Sequence, residues 1–318
     1  MVQQSIELPA EQRNDGECPF VSVIIPVFND CERLEQCLQA LYAQSYPANC
    51  CEIIVVDNGS RVPIQPRLVS KFPLVRIGVE LKPGSYSARN LGIQMAKGEV
   101  LAFTDSDCVP HSDWLRLGVK RLLSVERCGL VAGKIELTFR DPQHPTAAEL
   151  YEKVVAFPQH DYVSKSHYGA TANVFTYSSV MQVVGPFDGN LTSGGDAEWG
   201  RRVHGAGYQQ VYGDDTVVYH PARGSMWSLL AKRCRTAGGN YFLQKKAEEQ
   251  LGLPWWRKVV RVVRRHLIPN RKDLLHLWND PRLENTGQRT KVVAVGYLLN
   301  VGHAIEFVRI YFGGRPWR

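Results

Sequence analysis

From Phe20 onward, short apolar runs rich in β-branched residues alternate with stretches patterned for helix. Val21-Ser22-Val23-Ile24-Ile25 is the first run, and from about Asp30 a helix follows with Leu34, Leu38 and Leu41 at i, i+4, i+7. Glu52-Ile53-Ile54-Val55-Val56 is the next run, and the three together predict a βαβ unit on a buried parallel sheet. The alternation predicts strands at Leu74–Val79 and Glu99–Thr104, and helices at Ser85–Ala96 and Ser112–Ser124, with Ser112 as an N-cap. Beyond Leu130 the pattern loosens. It still predicts a strand at Leu130–Thr138, helices at Ala147–Ala156 and Ala197–His204, and a short strand at Thr216–Tyr219. Met1–Cys18 is polar and aperiodic, a loose arm.

Each early strand ends in a polar cluster: Pro26-Val27-Phe28-Asn29, Asp57-Asn58-Gly59-Ser60, and Asp105-Ser106-Asp107. Open α/β sheets bind ligands outside the carboxyl ends of their strands, so these clusters converge on one cleft. Asp105 and Asp107 are two apart on an extended chain and point the same way. One or two carboxylates, with water and substrate phosphates, suffice for a magnesium-type ion. Two solvated loop aspartates are the plain alternative, and placement at a buried strand's end argues against it. Asp57 can accept hydrogen bonds from a ribose or base, and Lys82–Asn90, including Arg89, opens a helix that can approach phosphates. No GxxxxGK[ST], GxGxxG after the first strand, HExxH or GxSxG is present.

With these residues in place the sequence resembles a family 2 glycosyltransferase of the GT-A fold, a mostly parallel Rossmann-like α/β sheet flanked by helices. The resemblance rests on Val21–Asn29, Ile54–Ser60, Ala88-Arg89-Asn90-Leu91-Gly92-Ile93 and Phe103–Pro110, in family order. It runs from Val21 to about His220. It implies inverting transfer of a sugar from a nucleoside-diphosphate donor, expected to be UDP-linked, to an acceptor hydroxyl. The implied donor-binding set is Pro26, Phe28, Asn29, Asp57, Asn58, Arg89, Asp105 and Ser106, with Mg²⁺ or Mn²⁺ on Asp107, Asp105 and His220. Asn173 and Asp188 fall on the implied acceptor side, and Ser193–Arg202 fits the segment of the catalytic base. Asp196 takes the base position with Glu198 as rival; many relatives have Glu where this chain has Gly195. A helix-capping role for Asp196 is compatible with catalysis.

Charge adds a second theme. The 318-residue chain carries a net +7, yet Pro221–Lys272 alone holds 13 Lys/Arg against Glu248 and Glu249. Trp255–Ile268 separates at helical period into an apolar face (Trp256, Val259, Val260, Val263, Leu267) and a basic one. That pattern fits the surface of an anionic membrane, each basic residue adding roughly 1 kcal/mol near a charged leaflet. A helix packed on the catalytic domain is the competing reading. Lys291–Arg309 is interrupted by Asn300, His303, Glu306 and Arg309, a poor spanning segment. The eight cysteines include no CxxC pair, so thiols in a reducing cytosol are expected, with the protein peripheral at the inner membrane face. Three regions are expected: an arm at 1–19, a catalytic domain at 20–222, and a basic helical region at 223–318. Nucleic acid is not an expected partner, since aromatic and basic residues do not interleave on the sheet. The pathway expected is polysaccharide, glycolipid or cell-envelope glycan synthesis. A metal-dependent nucleotidyltransferase and a silent nucleotide-sugar-binding module are the alternatives.

Overall fold

The computed structural model describes residues 18–64, 68, 70–249, 264 and 271–314. Met1–Glu17 and, apart from Arg264, Trp255–Ile268 lie outside the described residues, and with them the expected N-terminal arm and membrane helix.

The early alternation folds as expected. Strands β1 (Val21–Val27), β2 (Cys51–Asp57), β3 (Val75–Val79) and β4 (Val100–Thr104) run parallel in the order β3-β2-β1-β4. Between them lie helices α1 (Cys31–Tyr42) and α2 (Ser85–Met95). Every residue of β1 and β4 is buried, as a strand covered on both faces requires. Alternation sends Val21, Val23 and Ile25 to one face, against Leu34 and Leu38 of α1, while Ile24 packs on the other face with Leu101 and Phe103.

The later half is antiparallel in part. β5 (Val109–Pro110) and α3 (Trp114–Leu123) precede β6 (Cys128–Thr138); α4 (Ala147–Val155) and α5 (Gln159–Ser166) lead to β7 (Asn173–Tyr177). Then come α6 (Ser178–Val184), α7 (Gly195–Gly205) and β8 (Gln209–Pro221). β7 pairs antiparallel with both β4 and β6, β8 runs parallel to β6, and β5 closes the far edge. At the centre Asn173 is fully buried. It accepts from Trp114 Nε1 (2.8 Å) and donates to the carbonyls of Lys134 and Thr216 (both 2.8 Å). Those bonds join β7, β6, β8 and α3 where the sheet changes sense.

After β8 the chain enters α8 (Met226–Glu249), α9 (Arg271–Trp278) and α10 (Thr286–Tyr311). Leu229 of α8 and Val295 and Leu299 of α10 share a core with Ala148 of α4, and Val292 packs with Leu150 and Val154. The C-terminal helices therefore cover α4. By length and composition α10 could cross a membrane, with a mean hydropathy of 1.3, but 44% of that stretch is buried against the protein.

Two local expectations and one alternative reading fail. Ser112 does not cap α3: the N-cap is Asp113, and no side chain caps it. Asp196 lies inside the first turn of α7, whose N-cap is Gly194 in the left-handed region (φ 82°), a conformation glycine adopts at little cost. The expectation of thiols throughout fails because Cys18 and Cys50 form a disulfide. The β1–β2 register explains it: Val21 lies opposite Cys51, so the residues just before each strand are neighbours, with Cα atoms 6.2 Å apart.

Candidate active site

The carboxyl ends of β1, β2 and β4 bring the expected acids to one edge. Asp57 is buried at the end of β2, and its Oδ1 accepts from the Ser60 N–H (2.9 Å). Asp105 follows β4 and is held by the buried Arg89 guanidinium of α2. Two residues on, Asp107 faces His220 (Nε2 to Oδ1, 3.6 Å) and Arg33 (3.6 Å). Burial first, then the Asp105 charge, hold the Asp107 carboxyl above its ordinary range against the opposing pull of His220 and Arg33.

This corner fits a hard divalent cation. His220 Nδ1 donates to the Pro221 carbonyl (2.9 Å), which orients the ring and leaves Nε2 as the atom that faces Asp107 and could bind a cation. Ligand atoms of Asp107, Cys108 and His220 all lie within 4.8 Å of one another. Cys108 is the weakest member: it is fully buried, its thiol is pushed up by burial and then by Asp105 and Asp107, and soft sulfur is a poor match for a hard cation. Carboxylate and imidazole are the donors that remain. Asp105, engaged by Arg89, is less open to a cation than Asp107.

Asp196 and Glu198 separate sharply. Glu198 is clamped at i,i+4 by Arg202 through Nε (2.8 Å) and Nη2 (2.9 Å), and Arg202 also donates to the carbonyls of Val184, Gly185 and Pro186. Asp196 Oδ2 accepts the Thr171 N–H (3.2 Å), while Oδ1 is buried without a well-formed hydrogen bond. Beside it stands Tyr86, whose phenol is pushed well up, first by burial, then by the Asp196 charge and a loose hydrogen bond to that carboxylate. The same ring accounts for Gly195: a Cβ there would fall 2.8 Å from two carbons of Tyr86. Tyr86 occupies the space a side chain at 195 would need.

Other expected residues build the walls. Asn58 Nδ2 donates to the carbonyls of Glu80 (2.9 Å) and Lys82 (2.8 Å), and Oδ1 accepts the Gly84 N–H (2.7 Å), tying together the loops after β2 and β3. Asn29, at φ 53°, exchanges bonds with Ser60 and Arg61. Pro26 pairs with Val56 inside the sheet, Ser106 is buried, and Phe28 stands 60% exposed at the mouth. Asp188 turns back on Asn190. Asn173 is engaged in the sheet centre rather than in a cavity.

A cavity of about 380 Å³ opens from Asp196 toward the C-terminal helices. Tyr86, Tyr162 and Tyr168 wall one side, and Lys232 and Arg233 of α8 line the other. Sequence reasoning missed these residues. The run Lys232-Arg233-Cys234-Arg235 just past the last strand was the available signal. Arg235, exposed by surface area, lies within electrostatic range of Asp105 and Asp107.

An eight-stranded mixed sheet whose parallel half ends in Asp57, Asp105 and Asp107 is a GT-A-type fold. The chain belongs to glycosyl transferase family 2, whose pattern it matches over residues 22–182. It is 39% identical over 226 residues to the glycosyltransferase AglE of Haloferax volcanii, covering 70% of this chain and 73% of that one. A pre-mycofactocin glycosyltransferase of Mycobacterium tuberculosis is 26% identical over 230 residues, which is 46% of its own length. Among solved structures, the mannosyltransferase PcManGT of Pyrobaculum calidifontis, in complex with GDP-Man and Mn²⁺, aligns with a TM-score of 0.54 at 20% identity. The alignment spans 94% of this chain and 77% of that one, a likeness of fold.

Proposed function

We propose that this glycosyltransferase moves a sugar from a nucleoside-diphosphate donor to an acceptor hydroxyl with inversion, and that Asp196 is the base. The observation that carries the reading is the contrast between Asp196, whose Oδ1 has no well-formed hydrogen bond and only the loosely placed Tyr86 phenol beside the carboxylate, and the clamped Glu198. The acceptor oxygen would bond to the anomeric carbon as the bond from that carbon to the diphosphate oxygen breaks. Asp196 would take the hydroxyl proton, and the bonding pair would leave with the diphosphate. Asp107 and His220 would hold Mn²⁺ or Mg²⁺, which supplies neutralisation of the leaving diphosphate. Arg89 would hold Asp105 in place, and Asp57 would meet the nucleoside.

The solved neighbour with GDP-Man and Mn²⁺ supports a nucleotide-sugar donor. A panel of UDP- and GDP-linked sugars tests the reading, with release of nucleoside diphosphate expected only with added metal. Release of pyrophosphate would favour a nucleotidyltransferase, and inertness toward every donor a silent binding module. Glycan assembly for polysaccharide, glycolipid or cell envelope is the setting this reading fits.

Residues 20–222 would form the catalytic domain and 223–318 a helical region that seats the enzyme on the inner membrane face. Leu298 and Ile305 along α10 and Phe312 at its C-cap are exposed, and the basic segment Trp255–Ile268 precedes them in the chain. Cutting the chain at Ala222 would bare Ala148 and Leu150 of α4, so the test replaces Arg257, Lys258, Arg261, Arg264 and Arg265 by Glu in the full chain. Loss of flotation with anionic liposomes is expected, and unchanged flotation would refute the membrane role.

A further inference from the structure

We infer that the cavity beside Asp196 takes an anionic saccharide acceptor, a sugar carrying a carboxylate or phosphate that Arg233 recognises; this rests on the proposed transferase reading. Two buried polar atoms in its lining lack hydrogen-bond partners: Asp196 Oδ1 at one end and Arg233 Nε on the α8 side. Arg233 donates from Nη2 to Asn300 Oδ1 (2.8 Å), which anchors the guanidinium, and among the described residues no carboxylate pairs with it. A buried N–H with no partner is costly, and an anchored guanidinium fork matches a carboxylate or phosphate edge.

Neighbouring charges reinforce this. Glu152, almost fully buried, is shared by Lys232 (2.9 Å) and Arg223 (3.0 Å), one acid between two cations. Burial first, then Arg223, lower the Lys232 pKa against the pull of Glu152. With Arg233 added, this side of the cavity holds more positive than negative charge. Its aromatic wall suits a pyranose: Tyr162 and Tyr168 stack with centroids 4.5 Å apart and planes 20° from parallel. A cavity of about 380 Å³ admits one or two sugar rings, with the accepting hydroxyl toward Asp196 and the anion toward Arg233.

The test measures binding of methyl glucoside, methyl glucuronoside and glucose 1-phosphate to the full-length protein loaded with nucleoside diphosphate and Mn²⁺. Where turnover is measurable, kcat/KM for each is added. One or both anionic probes are expected to bind more tightly than the neutral one, and the preferred probe tells carboxylate from phosphate. Arg233→Gln is expected to weaken the anionic probe about 10- to 100-fold, through KM rather than kcat, with a clearly smaller effect on the neutral probe. Arg233→Lys should recover part of the loss, and a thermal melt of each variant checks that the α8–α10 packing survives. Equal weakening of neutral and anionic probes, a preference for the neutral sugar, or no binding of any anionic probe while nucleotide still binds would overturn the inference. Failure of the wild-type protein to bind nucleoside diphosphate would instead sink the transferase reading.

Discussion

The two ends of the active site are built on opposite principles. At the strand-end corner each acid already has a counterpart: Asp57 the Ser60 N–H, Asp105 the Arg89 guanidinium, Asp107 the pair His220 and Arg33. In the cavity at α7, polar atoms on two facing elements are buried and left open, Asp196 Oδ1 and Arg233 Nε. A buried polar group without a partner costs about 1–3 kcal/mol, so a fold keeps two of them in one cavity only where something else gains. The corner's acids are preset by neighbouring charges, although Arg89 Nε there is also buried without a partner; in the cavity the proposed acceptor would complete both open atoms.

Removing the cavity's acid tests that contrast most severely. Asp196→Asn is expected to lower transfer by about 10² to 10⁴ while donor binding, followed by calorimetry, stays within error. Turnover near wild type would remove Asp196 from the chemistry. The preset corner should respond differently. His220→Ala is expected to raise the Mn²⁺ concentration needed for half-maximal activity about 10- to 100-fold, with activity partly restored by excess metal. An unaltered metal requirement would leave Asp107 without its imidazole partner in that role.

A third substitution probes the boundary between the two ends. Gly195→Glu restores the residue many relatives carry, but its Cβ would strike the Tyr86 ring at 2.8 Å. It is expected to destabilise the fold by about 1–3 kcal/mol in denaturant unfolding. Combining it with Tyr86→Ala should recover part of that loss, since the two positions contend for one space. Full additivity would show that Tyr86 does not account for the glycine.

The contrast also explains what the sequence could reveal. β1, β2 and β4 are continuous apolar runs because helices cover both their faces, so the acids at their ends were legible from pattern alone. β7 was not, because it carries Asn173 and Thr176 fully buried, and the bonds that satisfy them come from residues far along the chain. Thr176 donates to the Gly129 carbonyl at 2.7 Å, and Asn173 reaches Trp114, Lys134 and Thr216. The disulfide was hidden for the same reason, since 32 residues separate Cys18 from Cys50 and strand register alone unites them. The cavity was hidden most deeply: Arg233 sits in a run of basic residues, and nothing local distinguishes the one turned inward. Glu198 and Arg202, by contrast, stand four apart on one helix, and that spacing was readable as an ion pair.

That ion pair gives the smallest expected effect and the sharpest discrimination. Glu198→Gln removes the charge facing Arg202 but keeps an oxygen that can accept one of its bonds. Arg202 also retains the carbonyls of Val184, Gly185 and Pro186, so the α6–α7 connection stays tied. Both side chains are partly open to solvent, at 28% and 32%, so the lost pair is worth about 0.2–1 kcal/mol of stability. Transfer should fall less than tenfold. A base engaged in two bonds to a guanidinium must break them before accepting a proton, whereas Asp196 Oδ1 carries no well-formed hydrogen bond. If Glu198→Gln lost as much activity as Asp196→Asn with no loss of thermal stability, the roles of the two acids would be reversed, and the clamp would have to open during each turnover.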